Sequence, residues 1–325
     1  MKPILVARFM QTGIDQFTAH RRYGTAHVHR CVLHSVMEYS GNPSLCLHEL
    51  TPDWLKNYET HLLLAKKRSR NTTSTYLRCL QTVYNRALQE GLVPFVPGHF
   101  KRIFTGVTHN HSRAMSAEQI RRLINAPLSA GQAAVDQPRS GERQRSTMRA
   151  RACMELMLRM RGIAFVDLAF LPKTAVQGNH LIIQRRKTGR ILRFRITKEI
   201  GFLLQKYAHR HVHSPFLLDI LHTHDGTDKG IYRSYQRQLR SLNRFLGHLA
   251  ALQRVGRSVT SYCARHTWAT QAKYCGIPTE VISEGLGHAS VSTTAAYLKS
   301  FEQEVLEEAN EVVISNILSQ MNDAR

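Results

Sequence analysis

Residues 180–196, HLIIQRRKTGRILRFRI, carry the one strong strand signal in this chain. Two β-prone runs, 180–186 and 191–196, flank KTGR, whose glycine and polar neighbours suit a hairpin turn. In most of the remaining sequence apolar residues recur at spacings of three and four, the helical period. A chain with one hairpin and many amphipathic helices has too little strand for a large sheet. The expected class is mainly α with a small antiparallel β-hairpin sheet.

With 325 residues the chain is long enough for two ordinary domains, each with its own core. In the first hundred, YGTAHVHRCVLHSVMEYS, LTPDWLKNYETHLLLAKK and NTTSTYLRCLQTVYNRALQEGLV each show the helical period. The third carries a stripe of Tyr76, Leu77, Leu80, Val83, Tyr84, Ala87 and Leu88, with Arg78 and Arg86 outside it. Two prolines and two glycines between 94 and 113 break the pattern, and Ser116 followed by Gln119 opens a new helix with a capping box. The expected domains are therefore 1–105, helical, and 116–325, joined by a linker over 106–115. Within the second, residues 129–147 are polar and without periodicity and read as an exposed loop. A long apolar helix follows, bent or broken at Gly162.

Lys and Arg number 45 against 23 Asp and Glu, a formal charge of +22 spread along the chain, which favours a polyanionic partner and nucleic acid above all. No apolar run approaches a bilayer span, and MKPILVARFMQTGIDQF lacks an apolar segment with a small-residue cleavage site, so no membrane contact is expected. The six cysteines form no C-x-x-C pair, as suits reduced thiols in a soluble cytoplasmic protein. Histidines cluster in AHRHVHS and HTHDG, but alternate residues point to opposite sides of a helix, and neither a metal nor another cofactor is expected.

Four features occur in order: the basic hairpin with Lys187, ARHTWAT with Arg265, LGH with His288, and Tyr297 nine residues after that histidine. Together they resemble the tyrosine recombinase, or phage integrase, family. The resemblance implies a helical core-binding (SAM-like) domain followed by a catalytic domain that clamp duplex DNA between them. It implies Tyr297 as the nucleophile that forms a 3′-phosphotyrosine, Arg265 on the non-bridging phosphate oxygens, and His288 as donor to the same phosphate or as an aid to proton transfer. Lys187 is then the acid that protonates the leaving 5′-oxygen. It also implies a homotetramer on two paired sites, with accessory DNA-bending or directionality proteins and a nucleoid-associated location, and it assigns the acidic segment 302–325 to protomer contact.

The chain departs from the family pattern twice. Where a first catalytic arginine is usual, MRGIAFVDLAFL has Ala164, with the carboxylate of Asp167 three residues on; Arg161, one helical turn earlier, is the expected substitute, and Asp167 is expected to brace an arginine. Tyr262 stands where histidine is usual and still offers a hydroxyl to a phosphate oxygen. A rival reading is a DNA-binding protein of the same fold that has lost strand exchange, and a nearer one is a strand-relaxing enzyme with the same phosphotyrosine chemistry.

A DNA clamp neutralises many phosphates, so affinity for duplex DNA should fall on the order of a thousandfold or more between about 50 and 200 mM salt. A shallow salt slope in a titration series would contradict the clamp.

Overall fold

The computed structural model describes residues 3–108, 113–125, 140–222, 226–295, 298, 310, 311 and 314. Two compact units emerge: Met1–Asn110 with Gly226–Tyr232, and His111–Asp225 with Arg233–Arg325. Among the described residues no helix is long and apolar enough to cross a membrane.

The first unit holds α1 (Val6–Ala19), α2 (Tyr23–Ser40), α3 (Pro52–Thr60), which runs on into a wider π turn over His61–Ala65, and α4 (Arg70–Gln89). Residues at the helical period face inward: Val6, Phe9 and Met10 from α1, Val32 and Val36 from α2, and Leu77, Leu80, Val83, Tyr84 and Ala87 from α4 are buried in one core, and Ile14 of α1 is buried too. The stripe expected on α4 is thus its buried face, with Tyr76 and Leu88 half-buried at its margins. Helix starts follow local chemistry, since Thr51 Oγ1 accepts from the Trp54 N–H at 3.1 Å and Ser69 Oγ from the Thr72 N–H at 3.2 Å. α1 adds an element to the three helices expected here. It is fastened by Arg86, whose Nη2 donates to the Phe9 carbonyl at 2.9 Å and whose guanidinium lies 4.0 Å from the Phe9 ring centre. That cation belongs to the packing of its unit and not to an open, DNA-facing side of α4.

The second unit begins with α5 (Ala117–Asn125), capped reciprocally as expected: the Ser116 N–H donates to Gln119 Oε1 at 3.0 Å and the Gln119 N–H to Ser116 Oγ at 3.1 Å. α6 (Ser140–Arg159) corrects the loop expected over 129–147, because residues 140–147 are its first two turns; residues 129–139 lie outside the described residues. Polar side chains and Gly141 hide the helix from a periodicity reading. The helix is continuous with the apolar turns after Met148, and each residue it gains back through Glu142, Arg143 and Gln144 adds one backbone bond.

α6 ends in a sharp reversal, with Arg161 at φ 54° and Gly162 at φ 67°, so the chain breaks here before α7 (Phe165–Ala169). The sheet follows: β1 (Val176–Gln177), β2 (His180–Gln184) and β3 (Ile191–Arg195), antiparallel in the order β1-β2-β3. Leu181 pairs with Phe194 and Ile183 with Leu192, and these four form its buried face. β1, two residues long, adds to the expected hairpin. The remaining helices are α8 (Lys198–Lys206), α9 (Asp228–Leu252), α10 (Ser261–Tyr274), α11 (Thr279–Leu286) and α12 (Val291–Ala295). α10 packs against α6 and α11 with Ala264, Ala269, Ile282 and Leu286 buried.

Gly162 brings α10 close: a Cβ built there would lie 2.8 Å from Arg265 Cα, on a backbone conformation that disfavours any side chain. Gly162→Ala should therefore lower unfolding free energy by about 1–3 kcal/mol, read as a reduced midpoint in urea denaturation.

Candidate active site

Arg265 sits in the first turns of α10 among buried Cys263, Ala264 and Thr267, and only 3% of it is exposed. Its charge is met by backbone, since Nη1 donates to the Gly162 carbonyl at 3.0 Å and Nη2 to the Leu286 carbonyl at 2.6 Å. Leu286 ends α11, and Gly287 reverses the chain in the left-handed region at φ 64°. The Gly287 N–H donates to Glu284 O at 2.8 Å and the His288 N–H to Ser283 O at 3.0 Å, which closes the helix and points His288 inward. His288 is buried, with Nδ1 2.8 Å from Thr294 Oγ1 on α12. Burial lowers its pKa to about 4, helped by the positive charges of Arg265, Arg185, Lys187 and Arg190, so the ring is neutral near pH 7. In the tautomer in which the Thr294 hydroxyl donates to Nδ1, the ring proton sits on Nε2, where it suits an anion.

The β2–β3 hairpin is docked on this same turn. Arg185, 5% exposed, donates through Nε to Asp167 Oδ2 at 3.1 Å and through Nη1 to the carbonyls of Leu286 and Gly287 at 2.8 and 2.9 Å. Thr188 Oγ1 donates to the Gly287 carbonyl at 3.2 Å, and Arg190 Nη2 lies 3.4 Å from the Ala289 carbonyl. Asp167, buried on α7, takes the Arg186 N–H on its other oxygen at 2.9 Å. Asp167 thus braces an arginine, as expected, and that arginine is Arg185. Lys187 stands exposed in the turn between these anchors.

Tyr262, 41% exposed, lies one turn before Arg265 with its ring 5.3 Å from that of His266 and the Arg113 guanidinium 5.9 Å from its centre. Arg161 lies against the outer strand: Nη2 donates to the Arg193 carbonyl, and the guanidinium stacks 4.4 Å from the Phe194 ring centre. Burial lowers its pKa, opposed by the negative charge of Glu284. Arg161, Arg190, Ser283, Glu284 and His288 help to line a cleft of about 590 Å³. Ala164 caps the start of α7. Tyr297 and segment 302–325, apart from helical Asn310, Glu311 and Ile314, lie outside the described residues.

The structure therefore gathers Arg265, His288 and the Lys187 hairpin around one turn and adds Arg185, which no motif in the sequence singles out. The period of two carries the missing signal. Leu181, Ile183 and Arg185 are successive inward positions of β2 and its extension, whereas Arg186 points out. Two buried guanidiniums, a neutral imidazole and an exposed ammonium suit a phosphodiester whose negative charge grows as it is attacked.

The expectation for the histidines needs correcting, because residues 209–213 follow the end of α8 and are not helical. His209, Asp219 and His222 come together there, the one such cluster among the described residues. Two of its residues also serve other bonds: the His211 N–H donates to His209 Nδ1 at 3.1 Å and Arg149 Nη2 to Asp219 Oδ2 at 3.1 Å. A cation at Asp219 disfavours a metal ion at that carboxylate.

Comparison with known proteins matches residues 5–103 to the phage integrase SAM-like domain and residues 113–304 to the phage integrase family. No curated protein matches the chain. Among solved structures it is similar to a lambda integrase dimer bound to a COC′ core site, at 14% identity and TM-score 0.59 over 93% of this chain and 81% of that one. A lambda integrase tetramer bound to a Holliday junction matches at 13% identity and TM-score 0.60, over 93% and 80%. The Tn1549 transposon integrase in complex with circular intermediate DNA matches at 14% and 0.60, over 94% and 99%. At such identities these likenesses establish the fold.

The depressed pKa of His288 fixes the sign of one pH effect. The unfolded ring binds a proton below about 6.5 while the folded one resists it to about 4, so the stability held above pH 6.5 is lost as pH falls through that window. Urea midpoints measured between pH 7 and 4 should drop, and the drop should be smaller in His288→Gln.

Proposed function

The chain belongs to the phage integrase family of site-specific recombinases, and on that premise we propose that it cleaves and rejoins duplex DNA through Tyr297. The Tyr297 oxygen attacks the scissile phosphorus, the bond to the 5′-oxygen breaks, and a 3′-phosphotyrosine and a 5′-hydroxyl result. A 5′-hydroxyl from another strand then reverses the step, so the bond energy is conserved and no external energy source is needed.

The observation that carries this reading is the convergence on Leu286–Gly287. Arg265 is pinned to the Leu286 carbonyl, His288 follows directly, and the hairpin bearing Lys187 is bonded to the same turn. In the proposed step Arg265 presents its planar donors to the non-bridging oxygens, where charge accumulates. Neutral His288 donates a hydrogen bond to one of them. Lys187, on an exposed and flexible stem, gives its proton to the departing 5′-oxygen. Tyr262, one turn from Arg265 and partly exposed, offers its hydroxyl at the phosphate's edge.

Sequential exchange of two strand pairs requires four active sites, so the working assembly is a homotetramer on two paired sites, with segment 302–325 reaching a neighbouring protomer. DNA-bending or directionality proteins would set the outcome. Binding to DNA without strand exchange is the rival reading, and the absence of a side-chain cation at Ala164 is its support.

A pool of randomised duplexes, each nicked near its centre, traps the covalent state because the released oligonucleotide diffuses away. Wild-type protein should yield a denaturation-resistant adduct whose sequenced DNA defines the site, and Tyr297→Phe should bind that DNA but form none. Tight binding by wild type with no adduct would favour the binding-only reading.

A further inference from the structure

We propose that Arg185 supplies the second guanidinium for the scissile phosphate, entering from the β2–β3 hairpin to take the place of the side chain missing at Ala164. This rests on the phosphotyrosine reading above and assigns a catalytic residue that neither the family pattern nor the sequence singles out.

Three observations carry it. Arg185 and Arg265 donate to the same Leu286 carbonyl oxygen, so the two guanidiniums are immediate neighbours at equal depth, 5% and 3% exposed. The carboxylate three residues after Ala164 is committed to this hairpin, with one oxygen on Arg185 Nε and the other on the Arg186 N–H. A small residue at 164 leaves the surroundings of Asp167 to a guanidinium arriving from elsewhere. Finally, space has been cleared for Arg185 at the turn itself: a Cβ on Gly287 would stand 2.6 Å from Arg185 Cδ. The glycine that aims His288 also admits the arginine beside it.

The hydrogen bonds of Arg185 to Asp167, Leu286 and Gly287 engage Nε and Nη1, and Nη2 is the donor edge offered to a phosphate oxygen. Asp167 offsets one of two adjacent positive charges while the site is empty and holds the guanidinium's plane fixed, so little reorganisation is needed when an anion arrives. Arg161 is worse placed. Its guanidinium is stacked on Phe194 and bonded to the Arg193 carbonyl, and Glu284 lies near enough to raise its pKa, a charge that would repel a phosphate.

The test compares cleavage of two versions of the duplex recovered with wild type, one carrying the natural scissile phosphate and one a methylphosphonate, which lacks the charge an arginine balances. Arg185→Lys keeps a cation beside Asp167, and the double variant Arg185→Met with Asp167→Asn removes both buried charges together, which guards against an unfolded protein. Both are checked by thermal denaturation and DNA affinity. On the phosphodiester, single-turnover adduct formation in the double variant should fall by about 100-fold or more. On the methylphosphonate most of that deficit should disappear, and Arg185→Lys should lie between the double variant and wild type. An equal deficit on both substrates means a purely structural arginine and overturns the proposal, as does undiminished phosphodiester cleavage. Methylphosphonate rescue in Arg161→Ala and not in the Arg185 variants would give the role to Arg161. Absence of any adduct from wild type would instead remove the phosphotyrosine reading, and this proposal with it.

Discussion

One carbonyl oxygen, that of Leu286, accepts hydrogen bonds from two buried arginines. Two like charges in a low-dielectric interior repel strongly, and their juxtaposition survives only if fixed dipoles and a counter-charge offset the cost. Here the dipoles are carbonyls at the end of α11, the negative pole of that helix, and the counter-charge is Asp167. Much of the second unit serves this arrangement. α6 breaks at Arg161–Gly162 so that the Gly162 carbonyl can reach Arg265, α7 brings up Asp167, and the sheet delivers Arg185. Carbonyls and one carboxylate thus hold two cations side by side, an arrangement suited to an anion.

The net charge of +22 is a weaker guide to where DNA lies than it first suggests. Arg86, Arg149, Arg185 and Arg265 all donate to backbone carbonyls within their own units. Each has a physical task that a count of basic residues cannot distinguish from phosphate contact. The overall sign points to a polyanion; the individual side chains have to be placed before any of them is given to it.

Much of the fold was legible because its signals are local. The α4 stripe, the Ser116–Gln119 box and the KTGR hairpin depend on residues within a few positions of one another. What was hidden depended on tertiary context. Residues 140–147 have no apolar face and are helical because the turns beyond them are; β1 is two residues long and exists only as a partner of β2. At the site, the order Lys187, Arg265, His288 was readable, and so was the gap at Ala164. The nearest arginine in sequence, Arg161, is the natural candidate to fill that gap; its guanidinium lies against Phe194 and the Arg193 carbonyl. The arginine beside Asp167 comes from 18 residues further on, a distance that only strand alternation and folding bridge.

The bonds that seat the hairpin on Leu286–Gly287–His288 have a mechanical consequence. Arg185, Thr188 and Arg190 tie three points of one loop to the carbonyls of Leu286, Gly287 and Ala289, on either side of His288. Lys187 therefore cannot withdraw far without pulling on the peptide that aims the imidazole. In the proposed reaction the proton donor and the phosphate ligand would share one latch, so that displacing the hairpin would disturb both together.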